Sequence, residues 1–281
     1  MNDFVKMQLY KRRDIGDQIT ATFNFIKQNF KLLVISFFVF GFPFIFLGNF
    51  IGAVISFNNL SELQTPGNFP DYSNLWLTYF INYIGYALFT ISVISLMKIY
   101  AEEDDPSIIT FSMIKTEVFK KIIGYIGISI LLLLIYLVSI MLFVLPFLYF
   151  AVSLSFVVYI YIIEDKEIGE SMSGSLRLIK EYWWSTFGFY FLITIIVLII
   201  VVTIVFPFTF FGVFVFSPEI SGVSVYLNSF IYSLYQGLLS FFDVIIFTAV
   251  GIRYFTLKEI KEGISLNREI EAITDDETEN D

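Results

Sequence analysis

The sequence predicts an all-α integral membrane protein with six transmembrane helices, both termini cytoplasmic, and two or three interfacial amphipathic helices. Three observations predict it. Hydrophobic residues make up 57 % of the chain and charged residues only 15 %, a composition suited to lipid. Long apolar stretches alternate with polar ones in lengths that fit helical crossings. All seventeen Lys and Arg residues fall in four clusters, 6–31, 98–121, 166–180 and 253–268, and each interval between clusters is long enough to cross a bilayer twice. Translocating basic residues is costly, so the clusters mark the inner side and orient the chain. The expected location is the inner (plasma) membrane of a bacterium.

The elements follow in order. A polar stretch containing an amphipathic segment at about 15–31 precedes the first span, 32–57. That apolar run is too long for the h-region of a signal peptide, roughly 7–15 residues, and reads as an uncleaved span. A polar outer loop, Asn58–Asn74, carries Glu62 and Asp71 but no base. The second span, 75–97, ends at Lys98 and the acidic run Glu102–Asp105. A second amphipathic segment at 107–121 leads into the 42 apolar residues Ile122–Ile163, enough for two helices of roughly 30 Å at 1.5 Å per residue. Leu145-Pro146 is the natural turn, giving spans at 122–143 and 146–163, because proline breaks the helical ladder. A third amphipathic segment at 168–184 precedes the fifth span, 186–210, and the outer loop Ser217–Asn228 precedes the sixth, 229–251. Trp76, Tyr79 and Tyr226 fit an outer aromatic belt, and Tyr100, Trp183, Trp184 and Tyr254 an inner one. The tail 271–281 carries six acids and no base and reads as a solvated disordered end.

Two amphipathic segments match without gaps at an offset of 153 residues. Asp14-Ile15-Gly16-Asp17 aligns with Glu167-Ile168-Gly169-Glu170, and Ile26-Lys27 with Ile179-Lys180. Ile19, Phe23, Ile26 and Phe30 correspond to Met172, Leu176, Ile179 and Trp183, spaced so that each set shares one helical face. Gln18, Asn24, Lys27 and Gln28 lie opposite in the first copy, and Arg177, Lys180 and Glu181 in the second. Each segment reads either as a helix in the headgroup region, apolar face down, or as a helix packed on the inner face of the bundle. The weaker third copy, 107–121, places Phe111, Ile114 and Val118 on one face. A second echo pairs Phe42-Pro43-Phe44 with Phe206-Pro207-Phe208 and predicts a proline kink in both spans.

Function classes narrow quickly. The absence of Cys and His removes disulfides, thiolate nucleophiles, imidazole bases and the commonest transition-metal ligands. Neither a catalytic residue, a cofactor nor a metal site is expected, and no basic face remains for nucleic acid. The candidate intramembrane polar site is Asp243, with Ser240, Gln236 and Ser233 along nearly the same face of the sixth span. It reads as a cation or proton site, or as a buried carboxyl bonded to a neighbouring helix through Asn82. Candidate membrane-surface contacts are Lys27, Lys31, Arg177, Lys180, Trp183 and Trp184. Gly48 and Gly52 allow close helix contact, within the chain or in a dimer, with Asn49 bonding across it.

The loop Glu164-Asp165-Lys166-Glu167-Ile168-Gly169-Glu170, with Ser175-Leu176-Arg177-Leu178-Ile179-Lys180 and Trp183-Trp184, resembles the signature loop of the glycerophosphodiester phosphodiesterase membrane-domain family and related bacterial membrane proteins. Tyr254-Phe255-Thr256-Leu257-Lys258-Glu259 resembles the stretch after their last span. The resemblance implies a membrane module and not the hydrolase, whose activity resides in a separate soluble barrel with catalytic histidines. The expected role is non-enzymatic, structural or accessory, organising membrane lipids or partner proteins. The alternative is a small transporter or permease with its polar path through the sixth span.

Overall fold

The computed structural model describes residues 6–62, 73–215 and 223–265, and every regular element among them is helical. Most of the two expected outer loops, including Asp71 and Glu219, and the whole acidic tail lie outside the described residues. The chain runs through α1 (Ile15–Gln28), α2 (Phe30–Ser36), a π-helical turn (Phe37–Gly41) and α3 (Phe42–Glu62). It continues with α4 (Leu75–Glu102), α5 (Phe111–Leu142), α6 (Val144–Ser153), α7 (Val157–Ile163) and α8 (Ile168–Ile179). Last come α9 (Trp183–Val215), α10 (Val223–Leu239) and α11 (Asp243–Glu262). Among the described residues six helical stretches are long and apolar enough to cross a membrane: 30–59, 75–102, 111–142, 144–163, 183–206 and 224–262.

Several boundaries move for physical reasons. Lys98 does not end the second span. It lies four residues inside the end of α4 and is buried, because Asp165 at 2.6 Å and Glu117 at 3.5 Å neutralise it. The stretch 107–121 is not a separate helix: no proline interrupts the ladder after Phe111, and α5 runs unbroken into the third span. The chain reverses at Phe143, three residues before Pro146. Pro146 instead occupies the first turn of α6, where no intrahelical N–H bond is required of it. Pro43 follows the π-helical turn, which opens the ladder where the proline ring would strike the carbonyl four residues earlier.

The fourth span breaks at 154–156 and the sixth at a 3-10 turn, Ser240–Phe242. In the fourth span a neighbouring helix repairs the ladder. Ser175 Oγ on α8 donates to the Ser153 carbonyl at 2.8 Å and accepts from the Phe156 N–H at 3.2 Å. Ser155 and Tyr190 hydroxyls add a bond of 2.8 Å between α9 and the same break. Broken helices persist at membrane depth only where such partners satisfy the freed backbone.

α3 and α4 pack through glycines. An added Cβ at Gly48 would lie 2.8 Å from the Asn82 side chain, and one at Gly52 would lie 2.8 Å from Thr78. The Gly-x-x-x-Gly pair therefore serves contact within the chain, and Asn82 donates to Asn49 Oδ1 across it at 3.3 Å. Deeper in, the rings of Phe37, Phe89 and Phe241 join α4 to the two breaks in regular helix at 37–41 and 240–242. Burial is uneven along the bundle. Residues 91–100 and 251–259 are buried without exception, whereas Met141, Leu142, Phe143 and Leu145 at the far end of the α5–α6 hairpin are exposed. The core thus lies toward the end where the basic residues gather.

A polar network at the basic end

Glu164 and Asp165 follow directly after α7, and each ties other helices to this loop. Asp165 Oδ2 accepts from Lys98 of α4 at 2.6 Å, and its Oδ1 pairs with Lys121 of α5. Lys121 also donates to the Tyr161 carbonyl at 3.1 Å and sits 4.6 Å from the Tyr161 ring. Glu164 accepts from Tyr254 at 2.7 Å and from Lys258 at 3.1 Å, both on α11, and from Lys166 at 2.6 Å. Two adjacent carboxylates therefore hold α4, α5, α7 and α11 at one point.

The loop backbone fits that task. Asp165 adopts φ 52°, the left-handed region that Asp tolerates better than most non-glycine residues. Burial opposes ionisation of Asp165, but hydrogen bonds from Lys121 and Lys98 prevail and hold its carboxyl below the ordinary value. Burial likewise opposes Glu164, and Lys166, Tyr254 and Lys258 together hold it below the ordinary value. Both acids are thus anions placed to clamp cations.

Comparison of the chain with family models, curated proteins and solved structures finds no match.

α1 and α8 pack on the same end of the bundle with corresponding residues inward. Gln18, Thr22 and Phe25 are buried in α1, and Ser171, Ser175 and Leu178, each 153 positions later, are buried in α8. Phe23 and Leu176 are both exposed, at 37 % and 40 %, and so are Lys27 and Lys180. The inward face of α1 is therefore not its apolar stripe. Gln18, expected opposite that stripe with the solvated residues, is buried because it donates to the Arg13 carbonyl at 3.1 Å and accepts from Arg253 at 3.4 Å.

Arg253 joins the two repeated regions. Its guanidinium is buried and donates to Ser185 at 2.6 Å, to Thr186 at 3.1 and 3.2 Å, and to Gln18. The Phe189 ring lies 6.0 Å away. Among the described residues only neutral acceptors bond this cation, which is tolerable because each of them reaches its fork.

Of the expected surface residues, Lys27, Lys31, Arg177, Lys180 and Trp184 are exposed. Trp183 is half-buried; its Nε1 donates to the Tyr149 carbonyl at 3.3 Å and its ring stacks on Phe187. Tyr100 and Tyr254 are not belt residues but fully buried, since each hydroxyl has a partner: Gln28 for Tyr100 and Glu164 for Tyr254.

The sixth-span residues do not converge. Ser233 bonds the Ser229 carbonyl at 2.5 Å, Ser240 bonds the Gly237 carbonyl at 2.6 Å, and Gln236 donates to the Tyr232 hydroxyl at 3.3 Å. Each is satisfied within its own stretch of helix. Asp243 starts α11 just after the break, half-buried and without a hydrogen bond or ion pair among the described residues, and Asn82 bonds Asn49 instead. Sequence reasoning missed the Lys98–Asp165–Lys121 cluster. Its signal was three charges at the inner ends of apolar runs, where burial demands partners.

Proposed function

We propose that this protein is a non-enzymatic, multi-pass component of a bacterial inner membrane, with both termini cytoplasmic, in a structural or accessory role. Its basic end organises lipid or partner proteins. The observation that carries the reading is the shared burial register of α1 and α8. Both helices turn a packed face inward and leave an apolar residue and a lysine, Phe23 with Lys27 and Leu176 with Lys180, on the outside. An outward apolar and basic stripe is the composition that binds an anionic membrane surface. The repeat and the resemblance to the phosphodiesterase membrane-domain family belong to the same proposal. Purification in mild detergent, followed by identification of bound lipids and proteins, tests it. We expect anionic lipid or a defined partner to remain bound, and to be lost from a Phe23→Glu, Leu176→Glu variant. A clean monomer with neither overturns the reading.

A second reading, a small transporter, is favoured by one observation: Asp243 is a half-buried acid beside a helix break. That reading requires Asp243→Asn to abolish a measurable flux while leaving stability intact. A variant that loses only stability removes it.

A further inference from the structure

The inner ends of α7, α8 and α11 enclose a cleft of about 280 Å³. That volume is near the small end of ligand pockets. The floor is apolar, formed by Ile160 and Leu178. Around it stand four cations, Lys166, Arg177, Lys258 and Lys261, against two carboxylates, Glu164 and Glu262. Both carboxylates are already engaged: Glu164 by Lys166 and Lys258, and Glu262 by Lys258 at 2.6 Å. The other two cations are less heavily paired. Among the described residues the Arg177 side chain makes no hydrogen bond or ion pair, and Lys261 donates to the Arg177 carbonyl at 2.9 Å, sits 5.6 Å from the Tyr182 ring and pairs loosely, at 3.7 Å, with the largely exposed Glu181.

An unpaired guanidinium and a weakly paired ammonium thus line one small cavity with an apolar floor. A phosphate group matches them in charge, and its oxygens accept from a planar guanidinium and a point-charge ammonium together. We propose that this cleft binds the phosphate of a headgroup-sized molecule, with Arg177 and Lys261 contacting its oxygens and Lys166 adding to the positive field. The site is particular to the second amphipathic helix. At the corresponding positions of α1, Ala21 replaces Gly174 and Asn24 replaces Arg177. In α8 the space above Ile160 depends on the missing side chain, since a Cβ at Gly174 would lie 3.2 Å from Ile160 Cδ1. The inference stands apart from the lipid-organising role, because a soluble phosphate would fill the same cleft.

The full chain, stripped of lipid in detergent, is tested in two arms that separate the sources. Equilibrium dialysis with radiolabelled inorganic phosphate reads a soluble ligand. Reconstitution into nanodiscs of phosphatidylcholine with a minor share of phosphatidic acid, followed by mass spectrometry of the lipid retained per chain, reads a headgroup. We expect saturable binding near one per chain in at least one arm. Arg177→Gln with Lys261→Gln should weaken it about tenfold or more for each charge-assisted bond lost. Gly174→Val, which fills the floor without changing charge, should weaken it as well, and Lys11→Gln with Lys115→Gln, exposed and away from the cleft, should not. An unchanged melting temperature shows that the variants fold. Absence of saturable binding in both arms overturns the proposal, and so does binding that Arg177→Gln with Lys261→Gln leaves intact.

Discussion

Replacing Asp165 with Asn isolates the charge at the centre of the network at the basic end. Asn tolerates the left-handed backbone at this position, so the substitution removes an anion without adding strain. Two ammonium groups then lose a shared partner while buried, Lys98 at 4 % and Lys121 at 6 % exposure. Removing one member of a fully buried pair costs about 3–5 kcal/mol. Here the Asp165 side chain is 47 % exposed and Lys98 keeps Glu117 at 3.5 Å, so solvent and the second acid reduce the loss to about 2–3 kcal/mol. Unfolding in mixed micelles of rising SDS content measures it. The pH dependence supplies an independent check. Asp165 and Glu164 both titrate lower in the folded chain than in the unfolded one. The unfolded state therefore takes up protons first, so the stabilisation is complete above about pH 5, begins to be lost near the unfolded values of about 4, and is gone only below the lower folded values. Asp165→Asn should flatten this acid limb in part, with Glu164 supplying what remains. A loss below about 1 kcal/mol, or an acid limb of unchanged steepness, would refute the reasoning.

Other positions give contrasting outcomes. Ser175→Ala orphans the Ser153 carbonyl and the Phe156 N–H at the break in the fourth span, and should cost about 1–3 kcal/mol for each group left unpaired in the same assay. Gly85→Ala places a Cβ 2.8 Å from the Gly41 carbonyl oxygen, so α4 must back away, at about 1–3 kcal/mol. Gly169→Ala, with open space around it in α8, should be neutral or stabilising by up to about 1 kcal/mol, and a matching loss at both glycines would contradict the packing. A cysteine replacing Ser61 or Ser221 should react with an impermeant reagent from outside, and one replacing Ser107 or Ser173 should not, in a chain that has no other cysteine. The reverse pattern inverts the orientation.

What was legible in the sequence depended on how far each signal extends along the chain. Six apolar runs are long-range averages, and single residues do not disturb them; all six reappear as helices of spanning length. Breaks are local, and there the sequence misled. Pro146 advertised a turn that forms at Phe143, and nothing comparable marked the interruption at 154–156, whose freed backbone groups Ser175 satisfies from another helix. The amphipathic segments were read by their apolar stripes, yet half of the buried positions are polar: Gln18 and Thr22 beside Ala21 and Phe25 in one, Ser171 and Ser175 beside Leu178 and Ile179 in the other. Small and polar residues permit close helix packing while bonding backbone, so hydrophobicity alone misplaces part of the buried face. The Asp165 cluster was invisible for a related reason: its members are separated by 67 and 44 positions and meet only in the fold.

The lengths of the helices explain why the polar groups collect at one end. α4 has 28 residues and the α10–α11 stretch 39, against the roughly 20 that a bilayer requires. Their surplus turns lie at the basic end, where 91–100 and 251–259 are wholly buried. Those turns carry Lys98, Arg253 and Lys258, and α1, α7 and α8 cover them. A cation buried there needs a partner, and the partners come from the covering segments and from α9: Asp165 for Lys98, Glu164 for Lys258, and Gln18 with Ser185 and Thr186 of α9 for Arg253. The basic clusters consequently divide in two. Lys98, Lys121, Arg253 and Lys258 are enclosed and hold the bundle together, whereas Lys27, Lys31, Arg177 and Lys180 remain exposed. The exposed group is free to meet a membrane or a ligand, and Arg177, unpaired at the edge of the cavity it shares with Lys261, is the member of it with most reason to do so.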